Sequence, residues 1–412
     1  MYCQTRTIFS LMCSEKLLYL IEESDMRYDF ETLADRTGIG NMKGAMTDQL
    51  PGILNLSGAE MDYATAPVIQ KALADFSLRG LYGFTLPDTP YLEAICTWIR
   101  EIRGTTITPN MIVPTLGTVF GLCTAVRAFT APGDGVIIQH PSYYRFDRAI
   151  ERNGRTVISN LLLEQDGIYT LDMRDLEAKM SVPGNRLLVL CNPHNPTGKV
   201  FGVDDLKKIA TLAARYDVVV FSDEIFAETA AAGHPVTPYI AVDPAHGITS
   251  TSLGKAFNFT GVNQANLLIP NEDLRQKYLR QRDIDHFGSV DPFFYTALRA
   301  AYSPEGAEWV RKMNRHTQAN HRRICDTFWE KGLPLSLSPL EGAFVAWMDC
   351  RRLGLEDEAM MRLFLDSGVI VDSGAEYGPG GNGFVRINIA TPESRISAFL
   401  TAMERACVSC AR

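Results

Sequence analysis

Four short stretches, far apart in the chain, carry groups that suit a single kind of chemistry. They are Asn192 to Gly198 (Asn-Pro-His-Asn-Pro-Thr-Gly), Ser222-Asp223-Glu224, Lys255, and Arg386-Ile387-Asn388. An amide, a carboxylate, an amine and a guanidinium together match what pyridoxal phosphate needs from a protein. The amine carries the cofactor aldehyde, and the carboxylate keeps the pyridine nitrogen protonated. Donors hold the phenolic oxygen and the phosphate, and a cation takes an amino acid's carboxylate. Taken singly, each stretch has an ordinary explanation, and the case rests on their arrangement.

Asn192 to Gly198 follows a strand-like run and precedes a helical one, so a Pro/Gly turn would account for it. Two asparagines in a double-proline turn add amides, and Asn195 is placed to donate to a phenolic oxygen. Asp223 ends the β-branched run Val218 to Ser222, where open α/β sheets place their ligands, although an aspartate there also caps helices. Lys255 follows the run Ile248 to Ser252, with the hydroxyls of Ser250 to Ser252 available for a phosphate. Asp223 and Lys255 thus end neighbouring strands, so both reach one bound ring. Gly117, Thr118 and Val119 open a helix with Leu122, Cys123, Val126 and Phe129 on its apolar side, which offers free N–H groups to an anion. Tyr143, after His140-Pro141-Ser142, is placed to lay its ring on a flat cofactor. The one G-x-G-x-x-G match, Gly378 to Gly383, falls between two strand-like runs near the C-terminal end and not at a strand-to-helix turn of the α/β part, and no Walker loop occurs, which argues against dinucleotide or ATP chemistry on the same sheet.

Elements to position these groups are visible in the pattern. Apolar runs at 136–139, 187–191, 218–222, 248–252 and 265–269 alternate with helical segments, which predicts a buried parallel sheet covered by helices. Between two runs, Leu206, Ile209, Ala210 and Ala213 recur at helical spacing, as a crossover helix requires. After about residue 285 the pattern changes to a long helix containing Trp309 to Trp329, strands at 344–348 and 384–389, and a terminal helix. The fold expected is α/β: a large domain with a mainly parallel seven-stranded sheet, plus a smaller α+β domain. Gly378 to Gly383 reads as a turn between strands.

Composition limits the partners. The 412 residues carry 40 Lys and Arg against 48 Asp and Glu, a net charge of -8 without basic blocks, so neither nucleic acid nor membrane is expected. Nine cysteines lack zinc-like Cys/His spacing, and a single C-x-x-C pair, Cys407 and Cys410, stands without a second pair, which points to a reduced, cytoplasmic chain without a metal site. Cys191 reads as a strand residue. Residues 1–21 are fairly apolar but interrupted by Glu15 and Lys16, and read as an N-terminal helix or arm.

Over about residues 26–406 the order of these residues resembles the fold-type I pyridoxal phosphate enzymes, the aspartate aminotransferase superfamily. Within it the chain is most similar to the cystalysin-like C-S β-lyases, which include cystathionine β-lyases. The stretches that carry the likeness are Arg27 to Phe30, Asp35 to Gly38, Ala59 to Tyr63, Leu190 to Gly198, Ser222 to Ile225, Lys255 to Asn258, Glu341 to Trp347 and Arg386 to Ala390. The resemblance implies that Lys255 carries the cofactor and Asp223 pairs with its ring nitrogen. It further implies that Asn195 meets the phenolic oxygen, that Tyr143 stacks, and that Gly117, Thr118, Val119 and Ser252 hold phosphate. Ala59, Asn195 and Arg386 would bind substrate. A homodimer is implied, with Tyr82 and Phe84 contributed across the interface. The implied divisions are an extension at 1–25, with Met26 a candidate start, an arm at 26–57 belonging partly to the small domain, a large domain at 58–288 and a small domain at 289–412.

Departures from the pattern bear on the reaction. Asn263 stands eight residues after Lys255, where typical aminotransferases of the superfamily have a phosphate-binding arginine and the lyases do not. Losing that charge-assisted bond costs roughly 1.5–3 kcal/mol, tolerable when a lysine also holds the cofactor. Phe226, Phe84 and Ser57 replace the lyases' usual histidine, tyrosine and tryptophan. The expected activity is β-elimination from cystathionine or S-substituted cysteines to thiol, pyruvate and ammonia. The alternatives are transamination and a non-catalytic, cofactor-binding regulator.

Overall fold

The structure, a computed structural model, describes residues 28–50 and 52–410. The expected extension at 1–25, its N-terminal helix, and Arg27 lie outside the described residues. Seven strands build the central sheet: β1 Ile112–Thr115, β2 Gly135–His140, β3 Thr156–Leu161, β4 Asn185–Cys191, β5 Val219–Asp223, β6 Gly247–Thr251 and β7 Ala265–Leu268. Their spatial order is β1-β7-β6-β5-β4-β2-β3. From β6 to β3 all pairs are parallel. β2, β5 and β6 are covered on both faces, which explains their unbroken apolar runs.

β7 runs antiparallel to both neighbours, within the mainly parallel sheet expected. The reason lies in the connection. A parallel return needs a crossover of a dozen or more residues, usually a helix, to reach the far edge of the sheet. Residues 252–264 instead spend their length at the β6 end, around the short helix carrying Lys255, so the chain re-enters from that same end.

Six helices matter to the site: α1 Gly117–Phe129, α2 Val203–Tyr216, α3 Leu253–Ala256, α4 Pro292–Ala301, α5 Pro304–Glu330 and α6 Glu393–Cys410. α2 is the crossover between β4 and β5. It buries Leu206, Ile209, Leu212 and Ala213, and it ends at Asp217 in the left-handed region. The second sheet has strands β8 Ser336–Leu337, β9 Val345–Asp349, β10 Asp372–Ser373 and β11 Phe384–Asn388, in the order β8-β9-β11-β10, all antiparallel.

Two large apolar clusters divide α5 between them. Phe294, Leu298, Trp309 and Met313 pack with Tyr91, Trp98 and Phe257, whereas Ile324 and Phe328 pack with Val385, Ile387 and Phe399. The change of packing partner therefore falls inside α5, between Met313 and Ile324. Leu56 joins the second cluster and Met61 the first.

The two bodies meet where the motif loops lie. The Gly342 N–H donates to Gly198 O at 2.9 Å, and a Cβ added at Gly342 would come within 2.7 Å of the Pro193 ring. Glu341 accepts from Lys199 Nζ and from the Val200 N–H, both at 2.9 Å. The glycine cluster at 378–383 follows a short turn of helix after β10, and it does more than reverse the chain. Gly378 sits with φ +77° where a Cβ would strike the His140 ring at 2.9 Å, and the Ser142 N–H donates to Tyr377 O at 2.8 Å. The turn thus seats the second sheet on the loop that carries Tyr143. Among the described residues, no helix is long and apolar enough to cross a membrane.

Candidate active site

The C-terminal ends of β4, β5 and β6 bring the motif residues together. In register, Cys191 faces Asp223 and Asp223 faces Ser250. Cys191 is buried at the end of β4, as a strand residue would be. The loop after β4 is held by the Asn192 side chain, whose oxygen accepts from the Phe201 N–H (2.9 Å) and whose amide donates back to Phe201 O (3.2 Å). Asn192 is therefore a brace, and Asn195 is the asparagine presented to the site.

Asp223 is buried, and one of its oxygens accepts from the Ile225 N–H at 3.2 Å. Among the described residues no other hydrogen bond reaches its carboxylate. Removal from water pushes its carboxyl up to about 7, against the pull of the Ile225 N–H and of Lys255. A buried carboxylate so poorly served is short of a cationic donor. Its neighbour Glu224 is the opposite case. It accepts from Ser222, Thr249 and the Tyr239 N–H and pairs with buried Arg103, which makes it a strut beneath the site.

Lys255 Nζ donates to Ala59 O at 2.8 Å and lies 5.6 Å from the centre of the Phe226 ring. Burial, and then the nearby Arg386, lower its ammonium to about 8, while Asp223 and Glu60 oppose the shift. A larger fraction of its amine is thus neutral near physiological pH than in an ordinary lysine. Asn258, at the end of the same motif, fixes the facing segment by accepting from the Met61 N–H and donating to Met61 O and Tyr63 O.

Arg386 enters from the second sheet, flanked in register by Trp347 and Asp372. Nη1 donates to Asn195 Oδ1 at 2.9 Å, and Nε and Nη2 donate to Asp372 Oδ2 at 3.0 and 2.5 Å. Its guanidinium lies 5.1 Å from the Tyr377 ring centre. With the carbonyl oxygen of Asn195 engaged, the amide nitrogen is the part of that side chain left to donate. Tyr143 is half-buried, its phenol raised by burial, with Arg145, Arg386 and Asp223 in electrostatic reach.

A second group of candidates gathers at the start of α1. Gly117 has φ +75°, no side chain caps the helix, and Thr118 Oγ1 shares a hydrogen bond with Ser250 Oγ at 2.8 Å. Val119 is half-buried one position on. Ser252 caps α3, accepting from the Gly254 N–H and donating to Gln264 O. The backbone of Asn263 lies beside Gly117, so that departure does face this anion-suited corner. Tyr82 and Phe84 stand apart, exposed on a surface segment. Sequence reasoning missed Asp372, Tyr377 and Glu60. Asp372 carried no signal in the sequence, because its pairing with Arg386 is set by the register of the folded sheet.

The aminotransferase class I and II family profile matches residues 51–403, most of the chain. The chain belongs to this family. Among curated members it is 34% identical over 368 residues to the cystathionine beta-lyase PatB of Bacillus subtilis, covering 87% of this chain and 95% of that protein. It is 31% identical to the protein MalY of Escherichia coli, covering 90% and 96%. Among solved structures of the family, cystalysin from Treponema denticola, which contains a pyridoxal 5'-phosphate cofactor, superposes with a TM-score of 0.89. It shares 32% identity, over 93% of this chain and 99% of that one.

The strained state of Asp223 has a measurable consequence. Between pH 4 and 7 the unfolded chain releases this proton while the folded chain keeps it, so stability falls as pH rises through that window. A shift of about 3 units corresponds to up to about 4 kcal/mol at pH 7.5. In protein freed of bound cofactor, Asp223→Asn is expected to melt several degrees above the parent at pH 7.5, with the gap closing towards pH 4. Equal melting temperatures at pH 7.5 would show that the carboxylate carries no desolvation cost.

Proposed function

We propose that this chain is a pyridoxal phosphate-dependent carbon–sulfur β-lyase that acts on cystathionine or S-substituted cysteines. The observation that carries the reading is the buried Asp223 carboxylate, short of a cationic partner, beside the amine of Lys255 and the guanidinium of Arg386. The residues fit the cofactor. Asp223 would pair with the protonated ring nitrogen, Lys255 would carry the aldehyde carbon, Asn195 would donate to the phenolic oxygen, and Tyr143 would cover the ring. The first turn of α1 at Gly117, Thr118 and Val119, with Ser252, holds the phosphate. The choice of lyase rests on the likeness to PatB and cystalysin and on Asn263 at the phosphate corner, where no arginine adds its charge.

When bound, the cofactor supplies an electron sink for the negative charge that develops at the substrate α-carbon. Asp223 maintains that sink by keeping the ring nitrogen protonated. Arg386 and Asn195 hold the α-carboxylate and so aim the α-hydrogen at Lys255. Lys255 would accept this proton, and its lowered basicity gives it a neutral fraction able to do so near neutral pH. Expulsion of the thiolate from the β-carbon, proton return and hydrolysis balance as R–S–CH2–CH(NH3+)–COO− plus water giving R–SH, pyruvate and ammonium.

Transamination is the second reading, because the same residues serve it when the β-carbon bears no leaving group and the family includes aminotransferases. We expect L-cystathionine to give thiol and pyruvate in equal amounts without added 2-oxoacid, and Lys255→Ala to abolish turnover. Turnover that requires 2-oxoglutarate and yields no thiol would assign the chain to transamination. Arg386→Ala is expected to raise KM for amino acids by about 10- to 100-fold while leaving decarboxylated amines little affected. Equal losses on both would remove Arg386 from carboxylate binding.

The chain is further proposed to act as a cytoplasmic homodimer on small amino-acid substrates. Leu78, Leu81, Tyr82, Phe84 and Leu86 form an apolar run open to solvent, with Phe84 fully exposed, and such a patch calls for a covering surface. Tyr82 and Phe84 would then approach the partner's phosphate corner. Sedimentation should give twice the chain mass, and Phe84→Asp should shift it towards monomer with loss of activity; a fully active monomer would refute the assignment.

A further inference from the structure

Arg386 is already occupied by a carboxylate. Asp372, directly across the strand pair from it, presents Oδ2 to both Nε and Nη2, and its two oxygens accept from the Gly58 N–H at 3.1 and 2.9 Å. That is the pattern a substrate carboxylate would make: a forked guanidinium contact with a backbone donor added. Gly58 immediately precedes Ala59, whose carbonyl holds Lys255, so the bound carboxylate lies in the neighbourhood where substrate must sit. The contact is built into the fold, because the sheet register places the two side chains side by side. Both side chains are largely buried, Arg386 at 5% and Asp372 at 19% exposure.

Counting donors shows what remains. A guanidinium has five N–H bonds. Asn195 takes one from Nη1, and Asp372 takes the Nε–H and one from Nη2. One N–H on each of Nη1 and Nη2 is left for a substrate carboxylate. We propose that Asp372 is a resident counter-carboxylate: it fills the Nε–Nη2 edge of Arg386, confines a substrate carboxylate to the N–H groups left on Nη1 and Nη2, and weakens the arginine's hold on it. Asp372 acts through Arg386 and is a positioning residue. This inference rests on Arg386 receiving the substrate carboxylate.

The consequence is a site that grips the α-carboxylate in one orientation and lightly, so that discrimination between substrates falls to the rest of the molecule. A second negative charge a few ångströms from an arriving carboxylate opposes it, and only partly because Arg386 lies between them.

The test uses the full-length holoenzyme and 3-(methylthio)propionate, a carboxylate that lacks the amine and cannot react. In calorimetric titration, Asp372→Asn is expected to bind it about fivefold or more tightly than the parent, because the like charge is gone while the amide oxygen still accepts. KM for S-methyl-L-cysteine should fall in the same direction, whereas KM for 2-(methylthio)ethylamine, without a carboxylate, should not follow. Should Asp372→Asn not fold, Asp372→Ser is read by the same criterion. Unchanged or weaker probe binding in the folded variant overturns the inference. An Arg386→Ala control separates the two levels of failure. If that variant binds the probe as well as the parent, the reading of Arg386 is wrong and the inference falls with it; if it loses the probe while the Asp372 variants gain nothing, the counter-carboxylate idea alone is wrong.

Discussion

The arrangement depends on a carboxylate that the sheet buries without serving it. Asp223 is carried to the end of β5 by a run of apolar residues that has to be covered on both faces, so its burial follows from the same hydrophobic pattern that makes the strand. A carboxylate in that position is tolerated when a cationic donor arrives or when the group keeps its proton. Around it the chain places two cations that do not pair with it directly, an amine held by a backbone carbonyl and a guanidinium held by other acceptors. Under the function proposed above, that unmet demand is the one a protonated ring nitrogen would satisfy.

The remaining groups come from elements whose cores are partly shared: Trp347, Tyr377 and Phe384 of the second body pack with Ile137, Leu188 and Leu190 of the large sheet, and polar contacts complete the junction at the site. Arg386 reaches Asn195, Glu341 ties down Lys199 and Val200, Asp372 holds the Gly58 N–H, and the glycine turn at 378–383 seats on His140. Each joins a loop of the large sheet, or the segment leading into it, to the second sheet. The substrate-facing half of the site therefore exists only when the two bodies are docked, whereas Asp223, Lys255 and the start of α1 are fixed by the large sheet alone. Apart from these, Arg103, Glu224 and Ser222 make a buried polar support under the β5 end whose role is to hold that end still.

Much of this was legible in the residues. The apolar runs that became β2, β4, β5, β6 and β7 lie within two residues of their observed limits, because strands covered on both faces leave a continuous signal. β1 and β3 left none: β1 is four residues long and contains Pro114, and β3 is an edge strand whose exposed positions break the run. The direction of β7 is set by a connection that stays at one end of the sheet, information that no hydrophobic pattern carries. The change of pattern near residue 289 marks where long helices begin, and helices do not announce which core they will join, so α4 and the first half of α5 packed with the large body. In the site, Asp223, Asn195 and Lys255 were readable because each ends a strand or closely follows one, whereas Arg386 lies in the middle of β11 and was readable only through its motif, Arg386-Ile387-Asn388. Asp372 was not, since its meaning comes from a register pairing with Arg386 that only the folded sheet creates.

The most direct test is the affinity of the cofactor-free protein for pyridoxal phosphate, followed by the growth of yellow absorbance at pH 7.5, in the parent and in Asp223→Asn. If the ring cation answers the demand of the buried carboxylate, the asparagine variant binds at least tenfold more weakly although its fold is the more stable of the two. Equal affinities would show that Asp223 is not the partner of the ring nitrogen, and the account built on it would be contradicted.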